Sequence, residues 1–167
     1  RQIRRVLRPS GGSAWIGGFA AQDTAGLEAW KAALASDGVD VQTVTLQDPS
    51  WVQVTRRPLA GAGEWTHGLA DPANTACTLD QRVRGPLRIQ WYGQPGPRLM
   101  ADRHHRNAPP LYKDGRLFVP GENLVIAVDA YNGSNLWMRE IPGSLRLGAF
   151  LDCSNFVVDS QALYVVA

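Results

Sequence analysis

The densest group of polar side chains lies at residues 102–106, where Asp102, Arg103 and His104 are followed by a second histidine and a second arginine. Asp102 and His104 could form an acid–base pair. Metal binding is less favoured, because adjacent histidines on a strand point to opposite faces and other histidine ligands are scarce. The pattern favours a structural role over catalysis, with Arg103 or His104 donating hydrogen bonds to loop carbonyl groups.

A second candidate is the pair Glu122 and Asn123, which follows Gly121. Their side chains carry the oxygen ligands that calcium prefers. The same residues after a glycine also form an ordinary turn, and the turn is the favoured interpretation. The sequence shows no recognisable nucleophile–base arrangement, and its two cysteines are too few for a disulfide framework or a zinc site.

The stretch from Ala127 to Trp137 predicts two short strands joined by a tight turn. Asn132 and Gly133 form the strongest short hairpin signal, because a type I′ turn needs a positive φ at both central residues. Asp114 and Gly115 form a second hairpin signal, before residues 116–119. Asp129 is placed to accept hydrogen bonds from backbone amides just downstream. Trp137 carries a large apolar face that we expect to be buried against the next layer of strands.

Part of this pattern recurs in the chain. Trp91 precedes Trp137 by 46 residues, and the apolar residues 117–119 precede the similar residues 163–165 by the same distance. This offset lies in the range of roughly 40–50 residues that is typical of propeller blades, each of which is a four-stranded sheet. The recurrence therefore predicts a repeated, all-β unit.

Ala127, Asp129, Gly133 and Trp137 have the spacing Ala-x-Asp-x-x-x-Gly-x-x-x-Trp, which resembles the tryptophan-docking motif of PQQ-binding-like β-propeller repeats. Asn132 stands where that family has a threonine. Residues 64–67 and 71–76 resemble the opening of such propellers, and residues 86–91 resemble the strand that follows. Within residues 87–91 apolar and polar side chains also alternate, which predicts a half-buried strand. The resemblance implies that residues 60–167 are the N-terminal blades of a PQQ-like propeller. It also implies a periplasmic or cell-envelope location, and PQQ and calcium as possible cofactors of the parent, with Glu122 and Asn123 as candidate ligands.

Residues 1–59 have a different pattern. They predict a helix, a buried strand at residues 13–16, a second helix with an apolar stripe of Leu27, Trp30 and Leu34, and two strands at residues 39–46 and 51–57. Residues 5–12 resemble a turn near the end of class I SAM-dependent methyltransferases. The resemblance implies SAM as a possible cofactor of the parent. It assigns no SAM-binding residue here, because the family's glycine loop would lie upstream.

The composition limits the classes of partner that the protein is expected to bind. A net charge of +2 is too small to indicate nucleic acid, and no apolar run approaches the ~20 residues of a membrane span. No signal peptide is recognisable. The sequence begins in a helix pattern and ends in a strand pattern, which indicates a fragment of a larger protein.

The sequence thus predicts a mixed fold: the Rossmann-like α/β tail of a methyltransferase-like domain at residues 1–59, then all-β propeller blades at residues 60–167. The favoured function is a binding or scaffold module, inactive as an enzyme, for an unknown protein or small-molecule ligand. Two alternatives stay open. One is a PQQ-dependent quinoprotein dehydrogenase, and the other is a SAM-dependent methyltransferase with an accessory propeller.

Overall fold

The computed structural model describes residues 2–19, 24–36, 39–44, 50–93, 99, 108–144 and 155–167. The chain divides into two compact units, Arg1–Ala60 and Gly61–Ala167. The elements of the described residues are α1 Gln2–Val6, β1 Ser13–Phe19, α2 Thr24–Ser36, β2 Val39–Val44, β3 Ser50–Arg56, β4 Leu111–Lys113, β5 Arg116–Gly121, β6 Leu124–Asp129, β7 Asn135–Glu140, β8 Phe156–Val158 and β9 Leu163–Val165. Neither helix has the length and apolar character that crossing a membrane requires.

The first unit is built around β3, which lies between β1 and β2 and is antiparallel to both. Val52 and Val54 of β3 are fully buried, as the two-residue period of a strand predicts for its inward face. They pack with Leu7 and Leu34, around which lie the partly buried side chains of Ile3, Ala14, Ile16, Leu27 and Trp30. The predicted apolar stripe of α2 is therefore confirmed.

The predicted Rossmann-like α/β fold is wrong. A doubly wound sheet needs parallel strands joined by crossover helices. Among the described residues every pairing in this sheet is antiparallel, because β3 returns between β1 and β2. The strand at residues 13–16 is also not buried on both faces, since Trp15 is 48% exposed.

The second unit contains a four-stranded antiparallel sheet in the order β4-β5-β6-β7. The turn between β4 and β5 is Asp114-Gly115, with φ of 49° and 75°, as the hairpin prediction requires. Leu111, Phe118, Ala127 and Trp137 lie opposite one another on successive strands. We call these four residues the core row. Their exposures of 0%, 5%, 0% and 39% show that the row is buried until it reaches β7.

A two-stranded sheet, β8-β9, completes the core of the second unit. Phe156 and Val158 of β8 belong to the same buried cluster as Leu111 and Phe118, and the amide of Val158 donates to the carbonyl of Thr66 at 3.1 Å. The recurring residues 117–119 and 163–165 lie in β5 and β9, each the second strand of an antiparallel hairpin.

The predicted propeller blades are also wrong. A propeller needs successive four-stranded sheets arranged as a ring. The part of the chain that the structure describes contains three small antiparallel sheets and no closed ring or barrel. The predicted half-buried strand at residues 86–91 does not form either, because this stretch has no strand and Leu87 and Ile89 are 79% and 85% exposed.

Candidate functional site

Asp129 ends β6 and organises the loop that leads into β7. Its Oδ1 accepts the amide of Tyr131 at 2.9 Å, its carbonyl accepts the amide of Gly133 at 2.8 Å, and its own amide donates to Ser134 at 2.9 Å. The downstream bond to the Asp129 carboxylate is the one that the sequence predicted. The type I′ turn is wrong, because Gly133 has a φ of 74° but Asn132 has no positive φ. The loop spans residues 130–134 instead.

Trp91 is the tryptophan that lies over this loop. A Cβ built on Gly133 would fall 2.7 Å from Cδ2 and 2.8 Å from Cζ3 of its indole ring. The indole Nε1 donates to the carbonyl of Ala130 at 2.8 Å, and the neighbouring Gln90 Nε2 donates to the carbonyl of Tyr131 at 2.9 Å. Gly133 thus allows the Trp91 ring, which comes from outside the hairpin, to contact the loop closely.

Trp137 has a different environment. It lies on β7 opposite Ala127, and its ring centroid is 6.0 Å from that of Phe118 at an interplanar angle of 47°. Its 39% exposure contradicts the buried position that the sequence predicted. Each of the four motif residues therefore has a structural place: Ala127 and Trp137 in the core row, and Asp129 and Gly133 in the loop.

Glu122 and Asn123 form the turn between β5 and β6. Asn123 has a φ of 53°, its Oδ1 accepts the amide of Gly143 at 3.1 Å, and its carbonyl accepts the amide of Ile141 at 2.7 Å. The side chain of Glu122 is exposed, and its amide donates to the carbonyl of Leu99 at 3.1 Å. The side chain of Asn123 is thus used within the turn. PQQ and calcium binding by this pair stays a prediction.

Asp102, Arg103 and His104 lie outside the described residues, so the acid–base and structural hypotheses for them stay predictions. Within the described residues, no group of three or more His, Cys, Asp or Glu side chains is placed to hold a metal ion.

A polar cluster that the sequence did not predict lies beside β4. The hydroxyl groups of Tyr112 and Tyr131 are 3.1 Å apart, and Lys113 Nζ lies 2.7 and 2.8 Å from the two carboxylate oxygens of Glu64. Burial, followed by the hydrogen bond to Tyr131, raises the pKa of Tyr112 well above its usual range. Tyr112 is therefore a neutral hydrogen-bonding group rather than a base. Glu64 and Lys113 are 49 residues apart, and no local pattern signals their contact.

Residues 81–92, which we call the arginine segment, form the longest exposed stretch among the described residues of the second unit. They contain Arg82, Arg84 and Arg88 and no acidic residue. Apart from Trp91, every residue of the segment is exposed. Exposed isoleucine and leucine side chains thus stand among positive charges.

The start of the arginine segment is held by Asp80. Its Oδ2 accepts the amide of Gly63 at 2.7 Å, and its Oδ1 accepts the amides of Arg82 and Val83, each at 2.7 Å. These three hydrogen bonds lower the pKa of the Asp80 carboxyl group, and the bond from Gly63 has the largest effect. The carboxylate thus ties two stretches of backbone together.

Comparisons of the chain with protein-family models, with curated proteins and with solved structures found no match. The resemblances to PQQ-binding-like repeats and to class I methyltransferases therefore stay predictions.

Proposed function

We propose that the second unit is a binding module without redox chemistry of its own, and that it receives an extended polypeptide strand along β7. The observation that carries this proposal is the core row, which is buried across β4, β5 and β6 and ends at the partly exposed Trp137. An added strand beside β7 would lengthen this row and cover the Trp137 ring.

The chemistry of β7 fits a polypeptide. All six of its residues are exposed, and Leu136, Trp137 and Met138 are consecutive large apolar side chains. Among the described residues no strand pairs with the outer side of β7. An edge strand offers a row of backbone N–H and C=O groups, and the matching row is another extended backbone. Apolar side chains on both faces of β7 would add to the contact area.

The two enzymatic alternatives rest on the resemblances alone. A quinoprotein dehydrogenase would need cofactor ligands, and the Asn123 side chain already accepts a backbone amide. A methyltransferase would need the glycine loop that its family places upstream of residues 1–59. The binding module is preferred because it uses side chains that the fold leaves exposed.

The test is the binding of labelled, uncharged extended peptides, in which valine and threonine alternate, to the whole chain by fluorescence anisotropy. We expect peptides of this kind to bind, and we expect proline at alternate positions to abolish binding because proline removes the donor. Trp137→Ala should weaken binding at least tenfold. The matched control is Trp15→Ala, which removes a half-exposed tryptophan from the first unit. Equal binding by Trp137→Ala, or no binding by any such peptide, would contradict the proposal.

A further inference from the structure

The arginine segment combines features that a solvated loop does not need. Leu87 and Ile89 are 79% and 85% exposed, and they alternate with Arg88 and Gln90. In an extended chain, alternate side chains point to opposite sides, so this order separates an apolar side from a polar one. Exposed apolar side chains that share one side of a chain and are bordered by charges are typical of interaction sites.

Both ends of the segment are fixed. At its start, the amide of Gln81 donates to the carbonyl of Gly61 at 2.8 Å, next to the bonds that Asp80 accepts. At its end, Gln90 and Trp91 donate to carbonyl groups of the loop that follows β6. A segment held in this way loses less conformational freedom on binding than a free loop.

The backbone between these anchors is open. Among the described residues, residues 84–92 take part in no backbone–backbone hydrogen bond. Buried backbone N–H and C=O groups need partners, so whatever covers the segment must supply donors and acceptors at regular spacing. An extended polypeptide does this by adding itself as a strand.

The positive charge of the segment favours an acidic partner. Three arginines and no acidic residue give residues 81–92 a charge of +3, whereas the whole chain carries only +2. The nearest acidic side chain in sequence, Asp80, is used by backbone amides. We propose that the arginine segment binds an extended, acidic segment of a partner protein. The partner pairs as a strand with residues 87–92, which follow the bend at Gly85 and Pro86, and places apolar side chains on Leu87 and Ile89.

Other occupants fit less well. A lipid surface would meet the charges and the apolar side chains, but it would leave the open backbone groups without partners. A second copy of the segment would bring arginines close to arginines. Single-stranded nucleic acid needs successive aromatic rings on which its bases stack. The segment offers one exposed ring, that of Tyr92, because the Trp91 ring lies against Gly133.

The experiment uses the whole chain and a peptide of about eight residues in which glutamate and valine alternate, long enough for an ordinary strand. We expect saturable binding that weakens as salt rises, because exposed charges are screened. The double variant Arg84→Gln, Arg88→Gln should bind at least tenfold more weakly. Arg116→Gln, which removes an exposed positive charge from β5, is the matched control and should bind as the unchanged protein does.

Changes to the peptide test the same site without altering the protein. N-methylation of alternate residues of the peptide should abolish binding, because it removes strand pairing and keeps the charge. Replacing glutamate by lysine should also abolish binding. Trp137→Ala should leave binding of the acidic peptide unchanged, which separates this site from the one on β7.

The proposal would be overturned if the lysine peptide bound as well as the glutamate peptide, or if the N-methylated peptide kept full binding. It would also be overturned if the chain bound vesicles containing phosphatidylserine, or a single-stranded oligonucleotide, more strongly than the glutamate peptide. Dimerisation of the chain that Ile89→Asp removes would likewise overturn it.

Discussion

The indole ring of Trp91 lies over Gly133, which makes that glycine necessary for two independent reasons. The backbone of Gly133 has a φ of 74°, a conformation that a side chain disfavours. The ring also fills the space where a Cβ would stand. Trp91, which lies outside the described strands, is thereby attached to the loop between β6 and β7.

The substitution Gly133→Ala should lower the free energy of unfolding by about 2–4 kcal/mol, the sum of a left-handed alanine and an overpacked contact. Gly143→Ala is the matched control. Its φ is 86°, but the nearest atom to its Cβ would be 3.5 Å away, so about 1–2 kcal/mol is expected. Urea denaturation measures both. Equal losses would mean that the Trp91 ring does not confine Gly133.

The two repeated tryptophans should differ when each is replaced by phenylalanine. Trp91→Phe removes the hydrogen bond to the Ala130 carbonyl and should cost about 1 kcal/mol beyond the change in ring size. Trp137→Phe keeps an aromatic ring beside Phe118 and should cost less. The measurement is the urea midpoint of each variant. A larger loss for Trp137→Phe would contradict the assigned environments.

Stability should fall in alkaline solution because of the cluster beside β4. Tyr112 and Lys113 both have a raised pKa in the folded chain. The main cause is burial for Tyr112 and the hydrogen bond to Glu64 for Lys113. A group whose pKa is raised on folding adds stability below its unfolded pKa, which is about 10 for both. That stability is lost as the pH rises through the folded pKa. We therefore expect Tm to decrease from about pH 10 upward.

The variant Tyr112→Phe isolates the tyrosine contribution to this pH dependence. It should have a smaller alkaline decrease in Tm, and Tyr92→Phe, which removes an exposed phenol from the arginine segment, should not. Absorbance at the phenolate band should show one tyrosine fewer resisting ionisation in Tyr112→Phe. An unchanged alkaline slope in this variant would contradict the role of the partly buried Tyr112.

Removing the Asp80 carboxylate should release the start of the arginine segment. In Asp80→Ala the amides of Gly63, Arg82 and Val83 lose their acceptor, so their hydrogen exchange should accelerate at least tenfold. Asp71→Ala is the control, because that carboxylate binds Thr75 instead. In the unchanged protein the pKa of Asp80 is lowered. The protection of these amides, relative to their intrinsic exchange rates, should therefore decrease as the pH falls through this lowered pKa. Slow exchange at Val83 in Asp80→Ala would contradict the prediction that Asp80 anchors the start of the arginine segment.

The sequence predicted best where local chemistry determines the result. The Asp114-Gly115 hairpin, the strands on either side of Asp129 and the apolar stripe of α2 follow from turn residues and periodicity, and the structure has all three. The exposure of Trp137 does not follow from the sequence, because its size and apolar character do not reveal that β7 lies at the edge of the described sheet.

Tertiary arrangement does not follow from short sequence matches. Alternation in residues 86–91 predicted a half-buried strand, but alternation states only which side chains share a face, and no described strand lies beside them. The antiparallel return of β3 between β1 and β2 likewise depends on long-range pairing. The contact of Glu64 with Lys113 joins distant residues and has no local signal at all.

The two anchors of the arginine segment have a consequence for limited proteolysis. Trypsin cleaves after arginine in extended, accessible backbone, and Arg84 and Arg88 lie between the hydrogen bonds of Gln81 and those of Trp91. A cut there divides the chain covalently, and each new end stays bonded within its own piece. The two pieces remain joined by the backbone hydrogen bonds between Trp65 and Tyr112 and by the bond from Val158 to Thr66. The nicked protein should elute from gel filtration as one species and separate into two pieces only in denaturant.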